Sequence, residues 1–337
     1  MARRRRKSLS ENILKGRIFE FVISKLLEKA GFILNVDSDQ LTKNKKKRLK
    51  GRGSTYDPDF LGEFPITIPF SYPLLLVGEA KYHNKTLKVD DIRHFLGAFL
   101  DVSQFARIDT KSKAFKYSQI FFNKRHNYIP VIFSRSGFQR NAQALMWTHG
   151  IYFVSYENSA ILEDICKKID ILLTKIDFKS LTKEDLKKIT SLEKLKEIRY
   201  SLKKENYDSV YDKLIKTFSP TKSYFGILDG MWPVHVLTKN KANLRPTLKI
   251  KKCSCIENNN QIIIKKSTNK NSTNLGFFAL PDYFLKEYRK ISEKKNKKIL
   301  YDLTLYVPQK NKIFPYYIEL QELSNNKQEK ELTTNGI

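Results

Sequence analysis

An apolar run, Leu74-Leu75-Leu76-Val77, ends in Glu79-Ala80-Lys81, and Asp57-Pro58-Asp59 stands upstream with Asp59 twenty residues ahead of Glu79. Successive side chains of a strand alternate faces, so Glu79 and Lys81 are expected on one side and Ala80 on the other. Asp57 and Asp59 share a side in the same way. Three carboxylates and one amine can then converge at strand ends. Such donors suit Mg²⁺, which takes one or two acidic ligands, keeps several waters and leaves positions for a phosphate. A lysine beside the ion can orient or help deprotonate a water attacking phosphorus. The pattern points to phosphodiester hydrolysis.

The surrounding periodicities supply a scaffold. From Ser10 to Ala30, Leu14, Ile18, Phe19, Val22, Ile23, Leu26 and Leu27 fall on one broad helical arc, with Gly31 as a C-cap and Glu20 at the border of that arc. Residues 37–54 carry loop signals, including a lysine run and Gly51-Arg52-Gly53. Tyr56–Phe60 reads as a short strand interrupted by Pro58, hence an edge or a bulge. Residues 64–73 hold three prolines and read as a long loop. Val89–Phe105 places Val89, Ile92, Phe95, Leu96, Phe99, Leu100 and Val102 on one face of a helix. Strands at 118–122 and 129–134, a helix at 138–149 and a strand at 151–155 follow. The order α, β, β, α, β, β, α, β predicts an α/β fold, a mixed sheet flanked by helices.

With 63 Lys+Arg against 35 Asp+Glu and a formal net charge of +28, the chain favours polyanionic partners through counterion release, nucleic acid first. Compositional drift on solvated faces, expected of an A/T-rich genome that favours lysine codons, is the competing explanation of that excess. Cys166, Cys253 and Cys255 are too few for a disulfide framework or a zinc cage, which fits a reducing cytoplasm. The amino-terminal Arg3-Arg4-Arg5-Arg6-Lys7 run is not followed by an uncharged apolar core and does not read as a secretion signal. No window approaches an apolar span of about 20 residues, so no membrane helix is expected.

These elements resemble the Mrr-like restriction endonucleases of the PD-(D/E)XK superfamily over about residues 10–156. The resemblance rests on Gly16, Phe19 and Glu20 before Ala30-Gly31-Phe32, on Gly51-Arg52-Gly53 ahead of Tyr56-Asp57-Pro58-Asp59, and on Gly78-Glu79-Ala80-Lys81-Tyr82. Ser134-Arg135-Ser136-Gly137-Phe138, Ala142 and Gly150-Ile151 extend it. It implies a restriction-endonuclease-like sheet and a metal-dependent DNA endonuclease of restriction or defence. In that reading Asp59 and Glu79 hold one or two Mg²⁺, Lys81 is the motif lysine and Glu20 an accessory acid. Either Asp57 or Asp59 is compatible with the ligand position, and Asp59 aligns better with the last acid of the pattern. Lys45, Lys46, Lys47, Arg48, Arg52, Arg93 and Arg135 are candidates for contacts to duplex DNA phosphates. Two alternatives remain: a non-catalytic DNA-binding or assembly protein on a nuclease scaffold, and a junction-resolving nuclease.

The expected boundaries are a nuclease domain at 8–156, a lysine-rich helical connector at 157–222 and a smaller β-rich α+β domain at 223–323. The connector reads as helices at 159–176 and 182–218. The last domain reads as strands at 224–228, 234–237, 248–250, 262–264, 300–307 and 316–320, with a helix near 281–291. Its ligand is not named by its residues. A homodimer or a partner subunit through this domain is an expectation.

Overall fold

The computed structural model describes residues 2–34, 36, 48–66, 69–103, 126–157, 159–176, 207–230, 232–238, 252–256, 261–267, 272–279, 290, 300–308 and 311–322. The strands expected at 118–122 and 248–250 lie outside them, as do residues 182–206 and most of 281–291. By its internal contacts the chain forms two compact units, Met1–Phe153 with Ile176–Lys204, and Val154–Lys175 with Glu205–Ile337. The fold is mixed α/β.

The first unit opens with α1 (Ala2–Lys29), which packs on β3 (Phe60–Glu63) and β4 (Leu74–Lys81). All seven apolar residues of its expected arc are buried, and burial of that arc rather than intrinsic helix propensity holds the helix in place. Gly31, at φ 89°, closes it. The four-stranded sheet has the order β3-β4-β5-β6, with β5 at Asn127–Ser134 and β6 at Tyr152–Ser155. β3 runs antiparallel to β4, and β4 runs parallel to β5 in the register Lys81↔Ser134, so the sheet is mixed. Helix α2 (Val89–Ser103) packs with α3 (Arg140–Thr148). Ile92, Phe95 and Val102 of α2 are buried, whereas Leu100 is 41% exposed. Leu100 stands eight residues past Ile92, about 80° around the wheel and on the opposite rim from Val102, so the apolar arc is narrower than expected.

Two local features depart from the sequence reading. Leu49–Lys50 (β1), inside the stretch expected to be loop, pairs with Thr55–Tyr56 (β2) as a separate antiparallel hairpin. Pro58 splits the expected strand 56–60 in two, because a residue without an N–H cannot continue a ladder. Tyr56 ends the hairpin and Phe60 begins β3 of the main sheet.

In the second unit α4 (Ala160–Thr174) packs on α5 (Tyr207–Phe218), burying Ile165, Ile169 and Leu172 of the first and Leu214 of the second. Seven strands close into a barrel: β7 (Lys222–Leu228), β8 (Trp232–Thr238), β9 (Lys252–Ile256), β10 (Gln261–Ser267), β11 (Ser272–Ala279), β12 (Leu300–Val307) and β13 (Lys312–Glu322). Around the ring the order is β10-β11-β8-β7-β12-β13-β9, antiparallel throughout except for the β13–β9 pair. Tyr224 and Leu228, Val234 and Val236, and Leu303, Leu305 and Val307 each share one buried face of their strand, while β8 is buried on both faces from Val234 to Thr238. Among the described residues each barrel strand pairs with a neighbour on either side. Among the described residues no helix is long and apolar enough to cross a membrane.

Candidate active site

The site forms where β3 and β4 meet. In their register Phe60 lies opposite Gly78, and a Cβ at Gly78 would come within 2.0 Å of the Phe60 ring. Glycine at 78 therefore lets that ring lie flat across β4. The same pairing brings Asp59, immediately before β3, alongside the end of β4, where its Oδ2 accepts the Ala80 N–H at 2.7 Å. Glu79 and Lys81 share one face of β4, as alternation requires, and the Lys81 ammonium donates to Glu79 Oε2. The other oxygen, Oε1, accepts the hydroxyl of Tyr56.

Asp57 and Asp59 do not act together. Asp57 faces solvent and pairs with Arg48 at 3.7 Å, whereas Asp59 is half-buried beside Glu79. The kink at Pro58 separates them, and the convergence expected of both is met by Asp59 alone. Glu20, half-buried on α1, acts on Asp59 and Lys81 through its charge.

Charge at the site is unbalanced. Burial, then the charges of Glu79 and Glu20, push the Asp59 carboxyl up to about 7, against the opposing pull of the Ala80 N–H and Lys81. For Lys81, burial disfavours the charged form, but the charge and hydrogen bond of Glu79, with Asp59 and Glu20, outweigh it and hold the ammonium above its ordinary value. Burial and the carboxylate of Glu79 raise the Tyr56 phenol, so its hydroxyl stays a donor. Three carboxylates thus surround one ammonium.

Among the described residues no group of three or more His, Cys, Asp or Glu is placed to hold a metal ion by itself. Mg²⁺ does not need one, since one or two carboxylates with waters and substrate oxygens complete its shell. Asp59 is raised first by burial and then by negative charge, and that charge is what a divalent cation would relieve; both Glu79 oxygens keep a further lone pair beyond their present bonds. The donor set fits the ion.

Among the described basic candidates, Arg135 is bonded directly to the site strand. Its N–H donates to Lys81 O at 3.1 Å, its guanidinium lies 4.4 Å above the Tyr82 ring, and Asn84 Oδ1 accepts from it at 3.3 Å. Tyr82 in turn meets Phe19 of α1 edge-on at 5.4 Å. Arg52 is exposed in the hairpin turn, and Arg93 is exposed on α2 beside Asp90 at 3.2 Å. Lys45, Lys46 and Lys47 lie outside the described residues. The sequence reading missed Tyr56 as a participant because a lone tyrosine carries no pattern. Its place beside the Asp-Pro-Asp turn was the one available signal.

No family model matches the chain, and no curated protein matches it. A crystal structure described as a protein of unknown function, AF1548, is similar over 61% of this chain and 98% of that one, at 15% identity and a TM-score of 0.30. A likeness this distant decides neither fold family nor activity.

Proposed function

We propose that the first unit is a Mg²⁺-dependent DNA endonuclease centre on a restriction-endonuclease-like fold, related to the Mrr-like enzymes of the PD-(D/E)XK superfamily. The observation that carries this reading is the meeting of Asp59, Glu79 and Lys81 on adjoining strands, with Asp59 fastened to the Ala80 N–H between the other two. Asp59 and Glu79 would hold the ion. When bound it supplies Lewis-acid activation of water and neutralises charge on the phosphoryl and leaving oxygens. Lys81, kept protonated by its carboxylate neighbours, serves as a fixed positive charge for the anionic transition state rather than as the base. Glu20 adds negative charge from α1 and so raises the demand for a cation. Arg135, just past the end of the adjacent strand and bonded to the Lys81 carbonyl, is placed to take a neighbouring phosphate, with Arg52 and Arg93 as further exposed charges. The net charge of +28 favours a polyanionic substrate.

Incubation of the full chain with methylated and unmethylated plasmid plus Mg²⁺, beside Lys81→Ala, tests the proposal. Metal-dependent cleavage leaving 5′-phosphate and 3′-hydroxyl ends is expected, lost in the variant while DNA binding persists. Binding without cleavage under any divalent ion would instead leave a non-catalytic DNA-binding protein.

A further inference from the structure

Glu79 is held at both carboxylate oxygens, and the partner of Oε1 comes from outside the sheet. We propose that Tyr56 is a positioning residue that fixes the orientation of Glu79, and that Asp101 acts through it by locking the hairpin that carries it. This rests on the reading of Asp59, Glu79 and Lys81 as a metal-dependent nuclease site.

The last torsion of a glutamate is broad and nearly two-fold, so a carboxylate tied at one oxygen can still turn. Lys81 alone would leave Glu79 in that state. The Tyr56 hydroxyl on the second oxygen removes the freedom, as partners beyond the ligands themselves commonly do at metal sites. Tyr56 can do this only if its own position is fixed.

A two-stranded hairpin is marginal by itself, so β1 and β2 need outside support. Leu49, paired with Tyr56, is buried with Val77 of β4 and Val102 of α2, and the Tyr56 ring meets Phe95 edge-on at 6.4 Å. The turn is tied to the end of α2. Gly53 N–H donates to Asp101 Oδ1 at 2.8 Å, Ser54 N–H to Oδ2 at 3.2 Å, and Arg52 N–H to the Asp101 carbonyl at 3.1 Å. A Cβ at Gly51 would come within 1.9 Å of Asp101 Oδ2, so the close seat of the carboxylate in the turn depends on glycine there. One aspartate on α2 thus holds the turn, the turn sets the hairpin, and the hairpin sets the tyrosine against Glu79.

The test uses the full chain with Tyr56→Phe, which deletes one oxygen and keeps the ring on Phe95. Two readouts are taken: the Mg²⁺ concentration for half-maximal plasmid cleavage, and the rise in Tm that Mg²⁺ or Ca²⁺ produces without DNA. Tyr56→Phe is expected to need about 10-fold more Mg²⁺ and to show a smaller metal-induced rise measured from its own metal-free Tm, with its DNA affinity unchanged. Asp101→Ala should shift both readouts in the same direction. Adding it to Tyr56→Phe should cost less than about twofold more, whereas independent effects would multiply. Wild-type metal dependence in Tyr56→Phe overturns the role of Tyr56, and multiplying effects overturn the route from Asp101. A wild-type chain that neither cleaves nor responds to metal overturns the nuclease reading itself, and this inference with it.

Discussion

In the barrel unit His235 is enclosed with both ring nitrogens bonded, Nε2 to Ser223 Oγ at 2.7 Å and Nδ1 to the Tyr156 hydroxyl, and Phe225 lies flat against it at 4.0 Å. In the first unit Asp59 is half-buried beside Glu79 and under the influence of Glu20, with a single lysine against three carboxylates. Both groups have left their ordinary ionisation range, for different reasons. Burial alone pushes the His235 imidazole down to about 3 and keeps it neutral, and a neutral ring with two partners is a satisfied component of a core. Asp59 is pushed up to about 7 by burial and by like charge, a conflict that persists until a proton or a cation arrives. The first arrangement specifies a fold, and the second is the conflict that the proposed metal site would resolve.

The largest expected effect exposes the neutral network to acid. The unfolded imidazole takes a proton near 6.5 and the folded one near 3, so stability from this group is intact above about pH 6.5 and is lost as the pH falls toward 3. At 1.36 kcal/mol per unit the cost is about 2 kcal/mol at pH 5 and about 4 kcal/mol by pH 3. Denaturant midpoints of the full chain between pH 7 and 4 measure it. His235→Gln, which carries no titrating ring, should start lower and fall less steeply. Equal slopes for the two proteins would mean that His235 protonates freely in the fold.

The charged cluster answers to chemistry first. Lys81→Ala should lower cleavage about 100- to 1,000-fold, roughly 3–4 kcal/mol of transition-state stabilisation, because it removes the cation held against Glu79. Lys81→Arg should recover only part of that, since a planar fork does not replace a compact ammonium. Full activity in Lys81→Ala would remove the cluster from the reaction.

A smaller effect should appear in stability, with the opposite sign to the acid effect at His235. A carboxyl whose folded value is raised keeps its full contribution below its unfolded value of 3.8 and loses stability as the pH rises through about 7. Full charging costs about 4 kcal/mol, and losing the charged acceptor for the Ala80 N–H offsets about 1–2 of it. Asp59→Asn, in chelator, should therefore stabilise the protein by about 2–3 kcal/mol near pH 8 and not near pH 3 while abolishing cleavage. Mg²⁺ should narrow the gap by stabilising only the wild type. If the variant is less stable at every pH, the crowding of charge is not what raises Asp59.

The two regions also differed in how far their residues announced them. The buried arc of α1 from Leu14 to Leu27 and the shared face of Glu79 and Lys81 follow from 3.6- and 2-residue periods long enough to read. Leu49–Lys50 is two residues in a Lys- and Gly-rich stretch, too short for any period, and it becomes a strand by pairing with Thr55–Tyr56 and burying Leu49 with Val77 and Val102. In the barrel, β9 at Lys252–Ile256 and β11 at Ser272–Ala279 were not expected, because lysine, serine and asparagine break the apolar alternation. Ring closure stabilises them through backbone pairing, which side-chain pattern does not record. Tyr56 and His235 share this difficulty: each matters through one partner far off in sequence, Glu79 or Tyr156.

The smallest expected effect sharpens the contrast between two aspartates two residues apart. Asp57 and Arg48 are both more than 40% exposed and 3.7 Å apart, a surface pair worth about 0–1 kcal/mol. Asp57→Asn should therefore leave stability nearly unchanged and cleavage within about threefold of wild type. The same change at Asp59 removes a half-buried acid next to Glu79 and Lys81. Because Pro58 turns the chain between them, the pair is a control in which sequence neighbourhood, residue type and substitution are all matched and only placement differs. Loss of cleavage in Asp57→Asn with tolerance of Asp59→Asn would exchange their roles and require the turn at Pro58 to swing the other carboxylate into the site.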